Sequence, residues 1–106
     1  MYDERRVIPS SRVLDVRDLG GGLVAVLIAQ PRSDWRNVEI DEVRVTGWWN
    51  MYDSIVEVQD WRRRVIVSTA RMTGYPQRIL SDTRVATYAE EDGIPFLDIW
   101  KVQLRP

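Results

Sequence analysis

Cysteine and histidine are both absent from this chain of 106 residues. Without cysteine there is no disulfide and no thiolate metal site, and cysteine usage lends no support to secretion. Without histidine the chain lacks the commonest general base, the commonest metal ligand and the usual partner of a serine nucleophile. We therefore expect no metal, no cofactor and no enzymatic activity. An enzyme is a third alternative, and it would need a carboxylate-only or metal-dependent mechanism.

Lysine and long apolar runs are also scarce. Lys101 is the only lysine, and it alternates with apolar neighbours as a strand residue does, so we do not expect it to be catalytic. The longest apolar run, Leu23 to Ala29, has seven residues, whereas a membrane-spanning helix needs ~20. Met1 to Arg6 include acids and precede no apolar block, unlike a secretory signal. We expect a protein without signal peptide or membrane span, located in the cytoplasm or assembled in a virion.

The apolar residues that are present favour strands. The chain has 14 Val and 8 Ile against 7 Leu and 5 Ala, and β-branched side chains fit the pleated surface of a sheet better than a helix. The length suits one domain with a single core. We expect residues 1–106 to form one β-rich domain, with residues 1–11 as a candidate N-terminal arm.

Three pairs of segments have the alternation and the intervening turn residues of hairpins. They are Arg12 to Val16 with Leu23 to Ala29 across Gly20 to Gly22, Ser54 to Gln59 with Arg63 to Thr69 around Asp60 and Trp61, and Thr83 to Ala89 with Phe96 to Leu104 across Glu90 to Gly93. Leu23 to Ala29 is apolar throughout, which predicts a strand buried on both faces.

Two further segments are less regular. The apolar residues fall at even positions in Val38 and Ile40 but at odd positions in Val43 and Val45. Asp41 and Glu42 must therefore hold a bulge or a turn if one face of the strand stays buried. Residues 72–82 are the least β-like, and Pro76 is placed to begin one short helix. The predicted fold is all-β, or β-rich with that short helix: a small antiparallel barrel or sandwich of about six to eight strands.

Charge is sorted along the chain although its total is only −1. Residues 34–60 carry seven acids against two arginines, and residues 61–88 carry six arginines against one acid. The sign changes at Asp60 to Arg64, within a predicted hairpin turn. Glu57 can meet Arg63 or Arg64 across that hairpin, so part of the opposition is satisfied internally. Fields of opposite sign on one small body suit a complementary surface, including a second copy of the chain.

Tryptophan is abundant, with five in 106 residues. Trp100 fits a core face, whereas Trp35 and Trp61 lie in predicted turns, where they either contact a partner or cap the ends of a barrel. Exposed tryptophan and arginine are the residue types that anchor protein interfaces. The candidate partner-binding residues are Trp61, Arg62, Arg63, Arg64, Trp48, Trp49 and Trp35, and the candidate complementary acidic face consists of Glu39, Asp41, Glu42 and Glu57.

The first functional hypothesis is a non-enzymatic structural or assembly module that acts through protein–protein contacts. Contact between residues 34–60 of one copy and residues 61–88 of the next would close into a ring or extend as a fibre. Small β modules without cysteine commonly serve as pieces of larger assemblies. A phage or virion connector, tail or capsid component is therefore the concrete expectation.

The alternative is a small β-barrel that binds single-stranded nucleic acid. Bases would stack on Trp61 and on Trp48 or Trp49, and phosphates would meet Arg62, Arg63 and Arg64. The overall balance argues against this alternative, because the sequence pI is about 5.4 and nucleic-acid-binding domains are usually basic. We therefore rank nucleic acid below a protein partner.

Overall fold

A computed structural model describes residues 10–34 and 48–104. Within these residues there are seven strands and one short 3₁₀ helix, Trp48–Met51. The strands are β1 (Arg12–Gly20), β2 (Leu23–Pro31), β3 (Tyr52–Asp60), β4 (Val65–Met72), β5 (Tyr75–Ser81), β6 (Arg84–Glu91) and β7 (Ile94–Lys101). The all-β prediction and the predicted number of strands are confirmed.

The strands form two antiparallel sheets. The first has the order β1-β2-β3-β4 and the second the order β5-β6-β7. The described strands do not close a barrel, so of the two predicted architectures the sandwich is the one observed. Each of the three predicted hairpins is present, as β1–β2, β3–β4 and β6–β7. The hairpin β5–β6 was not predicted.

The helix predicted from Pro76 is wrong, because this segment is strand β5. Pro76 and Ile79 are both buried, and Ile79 pairs with Val85 of β6. Pairing with β6 therefore outweighs the weak local preference of proline for the first turn of a helix. Register irregularities on either side of Arg78 and Ile79 disturb the alternation of β5, which is why its sequence lacks a clear period of two.

The core lies between the two sheets. Alternate residues of β3, from Tyr52 to Val58, face inward and are buried, while the intervening residues are half-buried. Strand β2 is buried on both faces around Ala25 to Leu27, as its unbroken apolar sequence predicts. The main cluster consists of Leu19, Ala25, Leu27, Val56, Val58, Met72, Ile79, Val85 and Leu104. It draws on both sheets and on the segment after β7, which makes the two layers one unit.

The chain passes from the first sheet to the second at Gly74. This glycine has φ +97°, and a Cβ built there would lie 2.9 Å from the carbonyl oxygen of Tyr88 and 3.0 Å from Thr87 Oγ1. The Ser54 hydroxyl, fully buried, donates a hydrogen bond of 2.8 Å to the Gly74 carbonyl. Residue 74 therefore needs both a left-handed conformation and a bare Cα, which only glycine supplies without strain.

One side of the sandwich is joined by polar contacts from β1 to β5 and to the turn that follows β5. Arg17 Nε donates to Asp82 Oδ1 over 2.8 Å, and the Ile79 amide donates to Asp15 Oδ2 over 2.9 Å. Strand β5 also packs against β2 and β3. On the other side, β4 and β7 are the edges of their sheets among the described strands. The body measures 46 × 36 × 16 Å.

Two earlier expectations fall on residues that the structure does not describe. The bulge or turn at Asp41 and Glu42 lies outside the described residues, and so do residues 1–9 of the candidate N-terminal arm. Ser10 and Ser11, the last residues of that arm, are exposed and precede β1.

We predict that Gly74→Ala destabilises the fold by ~2–4 kcal/mol, since positive φ strain adds to a close contact with fixed backbone atoms. Gly93→Ala is the matched control: Gly93 has φ +76° but nothing within 4 Å of a built Cβ, so only the strain of about 1 kcal/mol applies. Urea denaturation measures both free energies of unfolding. Equal losses in the two variants would contradict the close approach at Gly74.

Candidate functional site

Four exposed residues, Trp61 to Arg64, connect β3 to β4, and we call them the arginine turn. The Arg63 amide donates to Asp60 Oδ1 over 3.1 Å, which caps the turn as aspartate commonly does. Arg64 has φ +56°, a left-handed conformation that is uncommon for a residue with a side chain. The turn is therefore held in one shape by Asp60 while its side chains project outward.

The arginine turn rests on the neighbouring β1–β2 turn. The Trp61 amide donates to the Gly22 carbonyl over 3.2 Å, and a Cβ built at Gly22 would lie 3.2 Å from Arg62 Cδ. The Arg62 guanidinium carbon lies 5.7 Å from the centroid of the Trp61 ring, within cation–π range. Arg62 is thus oriented along Trp61, and the predicted glycine cluster provides the space for its stem.

The three guanidiniums of this turn have no carboxylate partner among the residues that the structure describes. Within residues 10–34 and 48–104, no acid lies within ion-pair distance of Arg62, Arg63 or Arg64. The predicted pairing of Glu57 with Arg63 or Arg64 is wrong, because the register places Glu57 opposite Thr69 and its carboxylate accepts from Gln59 Nε2 over 3.1 Å. Three uncompensated positive charges therefore stand together at one end of the sandwich.

An open pocket of about 310 Å³ adjoins the arginine turn. It is lined by Gln59, Asp60, Trp61, Arg64, Val65 and Ile66. Trp61 is 60% exposed, and Val65 and Ile66 are exposed as well. The pocket therefore combines an aromatic wall and two branched apolar side chains with the amide of Gln59, the carboxylate of Asp60 and the guanidinium of Arg64, a composition suited to an apolar side chain with polar groups beside it.

Strand β4 continues this surface along the edge of the first sheet. Residues Val65 to Thr69 are all exposed, although successive side chains point to opposite faces. Residues 65–69 are therefore not covered by the second sheet on one face, and no other described residues cover them on the other face. It contains neither proline nor lysine, two residues that commonly protect edge strands from pairing. Such an edge is competent to associate with another chain.

Trp49, the candidate tryptophan whose side chain the structure describes besides Trp61, does not lie beside Trp61. Trp49 lies in the 3₁₀ helix before β3, at the opposite end of that strand, and its ring meets Tyr88 edge to face with centroids 5.3 Å apart. Trp48 begins the same helix, while Trp35 lies outside the described residues. Trp100 packs on the core and donates from Nε1 to Thr87 Oγ1 over 2.8 Å, as predicted for a core tryptophan.

The predicted acidic face is only partly within the described structure. Glu39, Asp41 and Glu42 lie outside it, and Glu57 is half-buried on β3. Two other acids of the same stretch are already paired. Asp53 accepts from Arg71 Nη1 over 2.8 Å. Asp34 receives two hydrogen bonds from Arg32, and these lower the pKa of Asp34 below its ordinary value.

A second acidic group lies at the β6–β7 connection, which the sequence predicts as a hairpin turn. We call Glu90, Glu91, Asp92 and Gly93 the acidic turn. Asp92 and Gly93 have φ +52° and +76°, which suits a two-residue hairpin loop. Because Trp49 contacts Tyr88, two residues before Glu90, this turn lies at the end of the sandwich where β3 begins. The three carboxylates are evident in the sequence, but only the structure shows where they lie relative to the arginine turn.

Among the described residues no group of three or more acids is arranged to hold a metal ion. No helix in the same residues is long and apolar enough to cross a membrane. No family model, curated protein or solved structure matches the chain. The function must therefore be argued from the surface itself.

We predict a pH-dependent contact at the acidic turn. The Tyr88 hydroxyl donates to Glu90 Oε1 over 2.5 Å, and this hydrogen bond to a carboxylate raises the pKa of Tyr88 above its ordinary value. The stability it contributes is present below pH ~10 and is lost as the pH rises through the folded-state pKa. In a phenolate absorbance titration, the ionisation that Tyr88→Phe removes identifies Tyr88, and Glu90→Gln should shift this ionisation to lower pH. An ionisation of Tyr88 that is unchanged in Glu90→Gln would contradict the contact.

Proposed function

We propose that this protein is a non-enzymatic assembly module that associates with further copies of itself through the arginine turn and the exposed part of β4. The observation that carries the proposal is the group of three unpaired arginines beside the exposed Trp61 and the exposed residues of an edge strand. Tryptophan and arginine are the side chains that most often contribute the binding energy of an interface. An open edge additionally offers backbone groups for pairing.

A homo-oligomer accounts for the separation of charge on the body. A surface with unpaired arginines is complementary to a partner with exposed acids, and the chain has such acids of its own in Glu91 and Asp92. Assembly into a larger structure, such as a phage or virion connector, tail or capsid, is the setting we propose; a cytoplasmic assembly has the same physical requirements. In either setting the protein acts by binding.

Single-stranded nucleic acid is the second candidate. It is favoured by the exposed Trp61 ring beside three guanidiniums, the pairing of a stacking surface with phosphate-binding charge. It is disfavoured by the position of Trp49 at the other end of β3, since a strand of nine residues spans about 30 Å. One stacking platform partly covered by Arg62 is a poor track for a polynucleotide.

We predict that the wild-type chain has a solution mass above the 12.4 kDa of one chain and that R62Q/R63Q/R64Q weakens its association roughly 3- to 100-fold. Three exposed ion pairs contribute ~0.2–1 kcal/mol each, and every 1.4 kcal/mol is tenfold in Kd. Light scattering across a concentration series, at low and at high salt, measures both effects. Higher salt should weaken the wild-type association, because exposed charges are screened.

The matched control is R78Q/R84Q/K101Q, which removes three positive charges from exposed strand positions of the second sheet. It should associate as the wild type does. A wild-type chain that stays at 12.4 kDa at every salt and concentration would overturn the proposal. Adding a short oligonucleotide tests the second candidate: salt-sensitive binding that R62Q/R63Q/R64Q abolishes, with no protein association, would favour nucleic acid instead.

A further inference from the structure

The arginine turn and the acidic turn lie at opposite ends of the sandwich. Strand β3 begins beside Trp49, whose ring contacts Tyr88 near the acidic turn, and it ends at Asp60, where the arginine turn begins. The nine residues of β3 separate the two ends by about 30 Å. The two turns of one molecule therefore cannot meet each other.

The two ends match in charge. The arginine turn has three guanidiniums that form no ion pair with any described residue, and the acidic turn has three carboxylates, of which Glu91 and Asp92 are exposed. Glu90 accepts a hydrogen bond from neutral Tyr88, which leaves its negative charge in place. Charges of equal number and opposite sign favour contact between the ends of two molecules.

The two ends also match in apolar surface. Ile94 follows the acidic turn directly and is 67% exposed, the largest exposure among the described large apolar side chains. The arginine turn has the open pocket beside it, with Trp61, Val65 and Ile66 in its lining. A branched aliphatic residue next to carboxylates is the kind of group that this pocket, next to guanidiniums, can accept.

We propose that the occupant of the arginine turn is the acidic turn of a second copy, with Ile94 of that copy at the pocket lined by Trp61 and Ile66. This inference rests on the proposed function and specifies its interface. Each copy has one end of each kind, so the contact is heterologous and leaves a free end on both molecules. It repeats as a head-to-tail ring or filament.

The contact can be tested by complementing two defective variants. R62Q/R63Q/R64Q retains the acidic turn, and E90Q/E91Q/D92N retains the arginine turn; asparagine tolerates the left-handed conformation at position 92. Each variant alone should associate roughly 3- to 100-fold more weakly than the wild type, because each loses the same three exposed ion pairs. An equimolar mixture should form a species of two chains that does not grow with concentration, because each variant has only one functional end.

The variant Ile94→Asp tests the apolar part of the proposed contact separately from its charged part. This variant should behave as E90Q/E91Q/D92N does and should also form two-chain species with R62Q/R63Q/R64Q. Circular dichroism of every variant verifies that the fold is retained. R78Q/R84Q/K101Q mixed with either defective variant should form smaller assemblies than it forms alone, because a chain with one functional end terminates a head-to-tail assembly.

The outcomes distinguish this inference from the function on which it rests. If the wild type and E90Q/E91Q/D92N associate equally while R62Q/R63Q/R64Q does not, the arginine turn is an interface but its occupant is another surface, and the inference is overturned alone. If the two defective variants fail to combine, the contact is not heterologous. If the wild type is monomeric throughout, both proposals fail.

Discussion

The close approach at Gly74 is the constraint on which the arrangement of the two sheets depends. Strand β4 belongs to the first sheet and β5 to the second, and the chain makes this change where a side chain would collide with the Tyr88 carbonyl. Because Ser54 holds the Gly74 carbonyl from β3, the second sheet is brought over the inner face of β1, β2 and β3. The core cluster forms as a consequence, and Val65 to Thr69 of β4 remain outside it.

That arrangement determines where the charged residues of the sequence lie in the folded protein. The sequence changes sign at Asp60, yet several charges on either side of that point are neutralised within the molecule, as in the pair of Arg71 with Asp53. Among the charges that remain, three guanidiniums lie in the arginine turn and three carboxylates lie in the acidic turn. The arginine turn lies at the end of β3 and the acidic turn near its beginning, so the molecule has a positive and a negative end. In the proposed assembly, such a distribution would orient two copies before they touch.

The edge strand β4 and the arginine turn have related physical roles. An exposed edge with Val65, Ile66 and Val67 is prone to unspecific pairing, and three arginines immediately before it oppose the approach of an identical strand end. The same charges attract an acidic surface. Repulsion between like ends and attraction between unlike ends both favour a directional, head-to-tail contact over lateral aggregation.

The sequence by itself determined the strand content, three of the four hairpins and the buried character of β2, because alternation and turn residues act between near neighbours. It also indicated the composition of the arginine turn. Only the tertiary structure decided that residues 75–81 are a strand, since β5 is stabilised by pairing with β6 and by burial of Ile79 rather than by its own alternation. It likewise decided that Glu57 faces Thr69 instead of an arginine, because a register is set by the whole hairpin, including the bulge beside Val58. The distance between the two charged turns depends on how the sheets fold over each other at Gly74, which no local pattern encodes.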